Sequence, residues 1–150
     1  MNSKTSPFLH LGARRSAQGG AAAVEFAFVA MIFIMLLIGS MEFGRWLFTL
    51  NAASEATRLG ARLAVVCSQN EPKIKDGMRT ILGSVSNAQI SIQYAPSGCD
   101  ASSCKTVTVG LTGAMFTPVV PFMGTGVALP AFTTSLSREY MNSTNNPVCL

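Results

Sequence analysis

The polar and apolar positions divide the chain into three stretches. Residues 1–20 are polar and contain Ser, Gly and Pro. From Ala21 to Met41 the chain is apolar, and Glu25 is its only ionisable residue. As a helix rising ~1.5 Å per residue, this run is roughly 31 Å long, close to the ~30 Å hydrocarbon core of a bilayer. It predicts a transmembrane helix. Beyond it, EFGRWLFTLNAASEATRLGARLAVV keeps a helical period rather than the alternation of a strand, with Gly44 as its weak point. Glu55, Arg58 and Arg62 form a charged stripe that reads as a solvated face. Ala53, Ala56, Gly60 and Ala64 form a stripe of small residues on roughly the opposite side. Small residues allow close packing, either of the chain's own sheet or of another subunit. Trp46 follows the apolar run, where an aromatic ring suits a membrane interface. One helix is therefore expected over residues 21–66, with 21–44 in the membrane.

Residues 67–150 read as a small domain. Pro72 starts a short helix through Gly83, with Ile74, Met78, Ile81 and Leu82 on its buried side. Ile90, Ile92 and Tyr94 alternate with polar residues, and Val107, Val109 and Leu111 do so with Thr106 and Thr108. These runs predict a hairpin of two strands around CDASSC. Phe132, Leu136 and Tyr140 suggest a third strand. The intervening GAMFTPVVPFMGTGVALP is apolar but broken by Pro118, Pro121 and Pro130, so no regular strand is expected there. Its MFTPVVPFM part reads as a segment folded over the core, the alternative being a partner-binding patch. NSTNNP reads as a flexible tail. The expected fold class is α+β: a long N-terminal transmembrane helix continuing into the periplasm, then a small antiparallel-sheet domain with one short helix. About 80 residues is near the size where one core struggles to hold a fold alone, so disulfides and packing on the long helix should both matter.

Charge sets the orientation. Only 12% of residues are charged, against roughly 25% in an average soluble domain. Lys4, Arg14 and Arg15 precede the apolar run and no acid does. Excess Lys and Arg favour the cytoplasmic side, so the N-terminus is expected to stay in and the domain to be exported. The net charge of +4 is thus no sign of a nucleic-acid partner. Cys67, Cys99, Cys104 and Cys149 all follow the apolar run. In an oxidising compartment they suggest disulfides, with three pairings possible. The short CDASSC segment favours Cys99–Cys104 and Cys67–Cys149, and four unpaired thiols are the alternative.

Little in the chain suggests catalysis. His10 is the only histidine and lies in the polar leader. After the apolar run, Glu42, Glu55, Glu71, Asp76, Asp100 and Glu139 are the acids, and none is paired with another at short spacing. No side chain there titrates near neutral pH to activate a serine or cysteine. The cysteine spacings fit no zinc pattern without histidines. No enzyme, metal or cofactor is expected.

The segment RRSAQGGAAAVEF, Arg14 to Phe26, carries the most information. A plain signal anchor would leave Glu25 near the cytoplasmic interface, where a charge costs less than the ~2.5–3.5 kcal/mol of mid-membrane. A cleaved signal peptide fits poorly, because the apolar run exceeds an ordinary h-region and lacks a good A-x-A-like site. A twin-arginine signal fits poorly too, because Gly19 and Gly20 separate the arginines from the span. The segment resembles the cleavage region of type IV prepilins, in which a membrane peptidase cuts after a glycine and a glutamate lies five residues on. Cutting after Gly20 would make Ala21 the N-terminus and place Glu25 fifth. Downstream, Val24-Glu25-Phe26, Glu42-Phe43-Gly44-Arg45, Ala56 and Gly60-Ala61-Arg62 make the N-terminal region similar to TadE-like proteins, pseudopilins of the tight-adherence (Flp) type IV pilus system. The likeness covers about 45 residues and extends loosely to a late Arg138-Glu139 pair. Many of those proteins carry a proline where this chain has Met31, so a straighter helix is expected here.

The resemblance implies a minor pilin-like subunit for pilus assembly, processed after Gly20, with Gly20, Ala21, Glu25 and Phe26 as the processing site and Arg14 and Arg15 as the topology signal. Its implied partners are the lipid bilayer, the prepilin peptidase, other pilin or pseudopilin subunits and the inner-membrane assembly platform. It implies a single-pass inner-membrane protein with a cytoplasmic N-terminus and a periplasmic domain, divided as leader 1–20, helix 21–66 and domain 67–150. Glu25 would pair with the N-terminal amine of a neighbouring subunit. The alternative function is an uncleaved single-span adaptor that docks another envelope component.

Overall fold

The computed structural model describes residues 18–120, 124 and 126–149. Lys4, His10, Arg14 and Arg15 lie outside the described residues, as do Pro121, Phe122 and Met123. The first element, α1, runs Gln18–Val66. The chain divides into two compact units, one up to Ser40 and one from Met41 onward. In the first unit α1 exposes apolar side chains all round, among them Phe26, Ile32, Leu36 and Leu37. A helix that is apolar on every side and unburied by its own chain is suited to lipid, and α1 is long and apolar enough to cross a membrane.

The second unit is built on the later turns of α1. Its core holds Ala52, Ala53, Ala56, Ala61, Ala64 and Val65. The small stripe faces the protein's own domain: a Cβ on Gly60 would lie 2.5 Å from Met78 Sδ and 3.2 Å from Val109 Cγ1. Helix and sheet therefore approach as closely as a bare Cα permits. Helix α2 spans Pro72–Ile81 with Pro at its start, and buries Ile74 and Met78. It ends before Gly83 because Leu82 leaves helical geometry (φ −122°, ψ 80°) as its N–H reaches Met78 O. Leu82 is nonetheless buried, and Ile81 packs on the core's edge.

The main sheet has the order β1-β2-β5, all antiparallel, with β1 Ile90–Ala95, β2 Thr106–Leu111 and β5 Phe132–Ser137. The central strand β2 places Val107, Val109 and Leu111 in the core. A second sheet pairs two-residue strands, β3 Met115–Phe116 and β4 Val127–Ala128. The apolar proline-rich segment thus contains a minimal hairpin, where the prolines argue only against a regular strand. Its ends are held by main-chain pairing, as in the bond from Leu129 N–H to Ala114 O.

Two expectations need correction. Tyr140 is not part of the third strand; it is exposed and lies beyond Ser137, where β2 ends opposite at Thr106. Past that point the chain turns from the sheet to the end of α1. The N–H groups of Glu139 and Met141 reach Val65 O, and that of Asn142 reaches Val66 O. The last carbonyls of a helix lack partners within it, so a passing strand end that brings N–H groups is held there. NSTNNP is accordingly anchored rather than free. Ser68 and Ser143 exchange N–H···Oγ bonds of 2.9 and 3.0 Å, and Ser143 Oγ donates to Glu71 Oε2. Cys149 closes the anchor by pairing with Cys67, and Cys99 pairs with Cys104.

Candidate functional site

Gly20, Ala21, Glu25 and Phe26 sit in the opening turns of α1. The expectation of Gly20 just outside the helix is not met, because α1 begins at Gln18. One interior glycine costs a helix only ~1 kcal/mol, and the alanines that follow Gly20 are the best helix formers. Among the described residues, a Cβ at Gly20 would meet nothing within 4 Å. Glu25 and Phe26 are exposed. Among the described residues Glu25 has no hydrogen-bond or ion-pair partner, so a partner for its carboxylate is available only from outside these residues.

A second charged group lies at the start of the second unit. Glu42 is 6% exposed. Both its oxygens accept from Arg45 Nη1, at 3.1 and 3.0 Å. Its Oε1 also accepts the Val119 N–H at 3.0 Å. Helical spacing of three residues brings Glu42 and Arg45 together on one side of α1. The third bond comes from the loop between β3 and β4, distant in sequence, so the carboxylate ties that hairpin to the helix. Arg45 in turn lies over the Phe116 ring, its Cζ 5.4 Å from the centroid, an attraction of about 0.5–1 kcal/mol at a partly exposed site. Phe43 and Trp46 pack at 5.9 Å, and Trp46 Nε1 is buried with no partner among the described residues.

Glu42→Ala would leave the Val119 N–H without an acceptor and Arg45 without its carboxylate. An unpaired group of this kind costs about 1–3 kcal/mol, so Val119 amide exchange is expected to quicken by about five- to 150-fold. Hydrogen exchange on the detergent-solubilised protein measures this; an unchanged Val119 rate would mean the bond does not hold the hairpin.

Elsewhere, the charged stripe is exposed, with Arg58 and Glu55 3.9 Å apart. Thr134 Oγ1 donates to Thr57 Oγ1 at 3.1 Å, which links β5 to α1. Arg138 donates to Ala101 O, at the CDASSC turn, while the Glu139 main chain serves α1. Sequence reasoning missed the bond between Glu42 and the loop. The available signal was an acid directly after the apolar run with Arg three residues on.

The α1 positions among these lie in a stretch that matches one family model. Residues 20–62 match the TadE-like protein family. The TadE-like segment lies wholly within α1, starts at Gly20, and contains Glu25, Glu42, Arg45 and the buried Ala56, Gly60 and Ala61. No curated protein and no solved structure matches the chain. The TadE-like segment therefore divides by role: open apolar turns with Glu25 first, the Glu42–Arg45 joint next, and a small-residue face that carries the chain's own domain last.

Proposed function

We propose that the protein is a minor pilin-like subunit for assembly of a tight-adherence pilus, cut by a prepilin peptidase after Gly20. The TadE-like match over residues 20–62, which opens at Gly20, carries this reading. A helix able to cross a membrane and a domain with two disulfides support a place in the cell envelope. The span would sit in the inner membrane with Arg14 and Arg15 on the cytoplasmic side and the domain in the periplasm. Cutting would create an amine at Ala21. In an assembled bundle, Glu25 would pair with that amine of a neighbouring subunit, because a carboxylate left unpaired in an apolar bundle is costly. Other pilin or pseudopilin subunits and the assembly platform are the partners this reading needs.

One observation favours the alternative, an uncleaved single-span adaptor. Gly20 lies inside a helix, and the peptidase would have to unwind that turn. Gly20 makes unwinding cheap, since it adopts extended geometry freely. In cells with an active prepilin peptidase, mass spectrometry is expected to find a chain beginning at Ala21. In Gly20→Ile, where a branched side chain disfavours the approach, residues 1–20 are expected to remain. A wild-type chain that keeps its leader would eliminate the pilin reading; normal cutting of Gly20→Ile would move the cleavage site elsewhere.

A further inference from the structure

We infer that the β3–β4 hairpin is a second membrane contact, which dips into the lipid surface beside the helix. The inference rests on the reading of α1 as a membrane span. Glu42 and Arg45 directly follow the apolar run, and they hold the hairpin through Val119 N–H and the Phe116 ring. The hairpin is thereby fixed to the part of α1 where a bilayer would end. Apolar side chains are exposed on both elements. Met115, Val119 and Val127 are exposed on the hairpin, and Phe43, Leu47 and Phe48 on the helix, with Val119 at 72% and Phe48 at 74%. In water these side chains are unfavourably placed; against acyl chains each would gain burial.

Charge identifies the occupant. From Thr106 to Ser137 the chain contains no Asp, Glu, Lys, Arg or His. The charged groups that hold the hairpin are Glu42, which is buried and paired, and Arg45, whose long stem allows its head to reach the headgroups. A surface meant for a protein usually carries a polar rim, whereas an uncharged apolar hairpin next to a span, with Trp46 nearby in sequence, is the composition of a lipid-interface element. The buried position of Glu42 follows as well: its three bonds satisfy the carboxylate at the point where water becomes scarce.

The full-length protein is reconstituted in phosphatidylethanolamine–phosphatidylglycerol vesicles, with a polarity-sensitive fluorophore on Val119→Cys. A blue-shifted emission and quenching by lipids spin-labelled near the headgroup are expected. Val127→Cys gives the same reading from the other strand, in case the label at 119 disturbs the loop. Lys73→Cys on α2 is the water-exposed control. Helix α2 packs against Leu59 and Leu63, roughly 25 Å further along α1 at ~1.5 Å per residue, and no quenching is expected there. Leu36→Cys reports the span itself. If Leu36 is quenched by deep spin labels while Val119 and Val127 stay in water, the hairpin contact is wrong and the span stands. If Leu36 is also unquenched, the span reading fails first. If Val119 is shielded only after other pilin subunits are added, the occupant is protein and the lipid inference is overturned.

Discussion

Replacing both Cys67 and Cys149 with alanine is expected to lower the stability of the domain by about 2–5 kcal/mol. The two cysteines are 82 residues apart in sequence, so their bond removes a large loop from the unfolded ensemble. The chain-entropy relation gives ~4.5 kcal/mol for such a loop and ~2.2 kcal/mol for one as short as Cys99–Cys104. The short bond also closes a turn that supports itself. The Asp100 carboxylate accepts the Ser102 and Ser103 N–H groups and both hydroxyls, and these bonds hold its pKa well below the usual carboxylate range. Urea titration of the detergent-solubilised protein should therefore show a clearly larger midpoint loss for the Cys67/Cys149 double variant than for the Cys99/Cys104 one. Equal losses would mean that the anchored C-terminal segment contributes as much without its disulfide as with it.

Glu25→Ala is expected to abolish or severely reduce piliation while insertion and cutting continue. Insertion depends on the apolar run, which gains one more apolar residue, and the proposed scissile bond lies five residues upstream. In the proposed function, assembly is the step at which the carboxylate would act. Its side chain is exposed and unpartnered among the described residues, and an incoming subunit with a free amine at Ala21 would supply the missing charge. Without the carboxylate that amine would be left alone in an apolar bundle, at a cost of several kcal/mol per subunit. Electron microscopy of cells counts the pili, and fractionation with mass spectrometry verifies the inserted, cut protein. Normal pilus numbers would remove Glu25 from assembly. A variant that keeps its leader would instead place Glu25 in peptidase recognition.

The features visible in the sequence are those with a period. The apolar run and the 3.6-residue spacing after it yield α1 to within a few residues of both ends. Two-residue alternation yields β1 and β2, and Pro72 yields the start of α2. Strands β3 and β4 have no period to read, because two residues are too few to alternate. The docking of residues 139–142 depends on where the last carbonyls of α1 point, which no local pattern encodes. The small stripe could be recognised as a packing face, but only the fold shows that Met78 and Val109 cover Gly60. The site divides likewise. Gly20 through Phe26, the proposed processing site, is legible because its residues are consecutive in the sequence. The role of Glu42 was hidden, because its third bond comes from the main chain of Val119, 77 residues away.

The anchor between the end of α1 and Cys149 also sets how the domain bears mechanical load. Residues 68–148 leave α1 at Cys67 and return to the same point, so the domain hangs from the helix as a closed loop. A pull applied between α1 and the C-terminal side of Cys149 passes through one covalent bond. The sheet, α2 and the hairpin then lie outside the force path, and tension that would unzip β1 from β2 in an open chain is diverted around them.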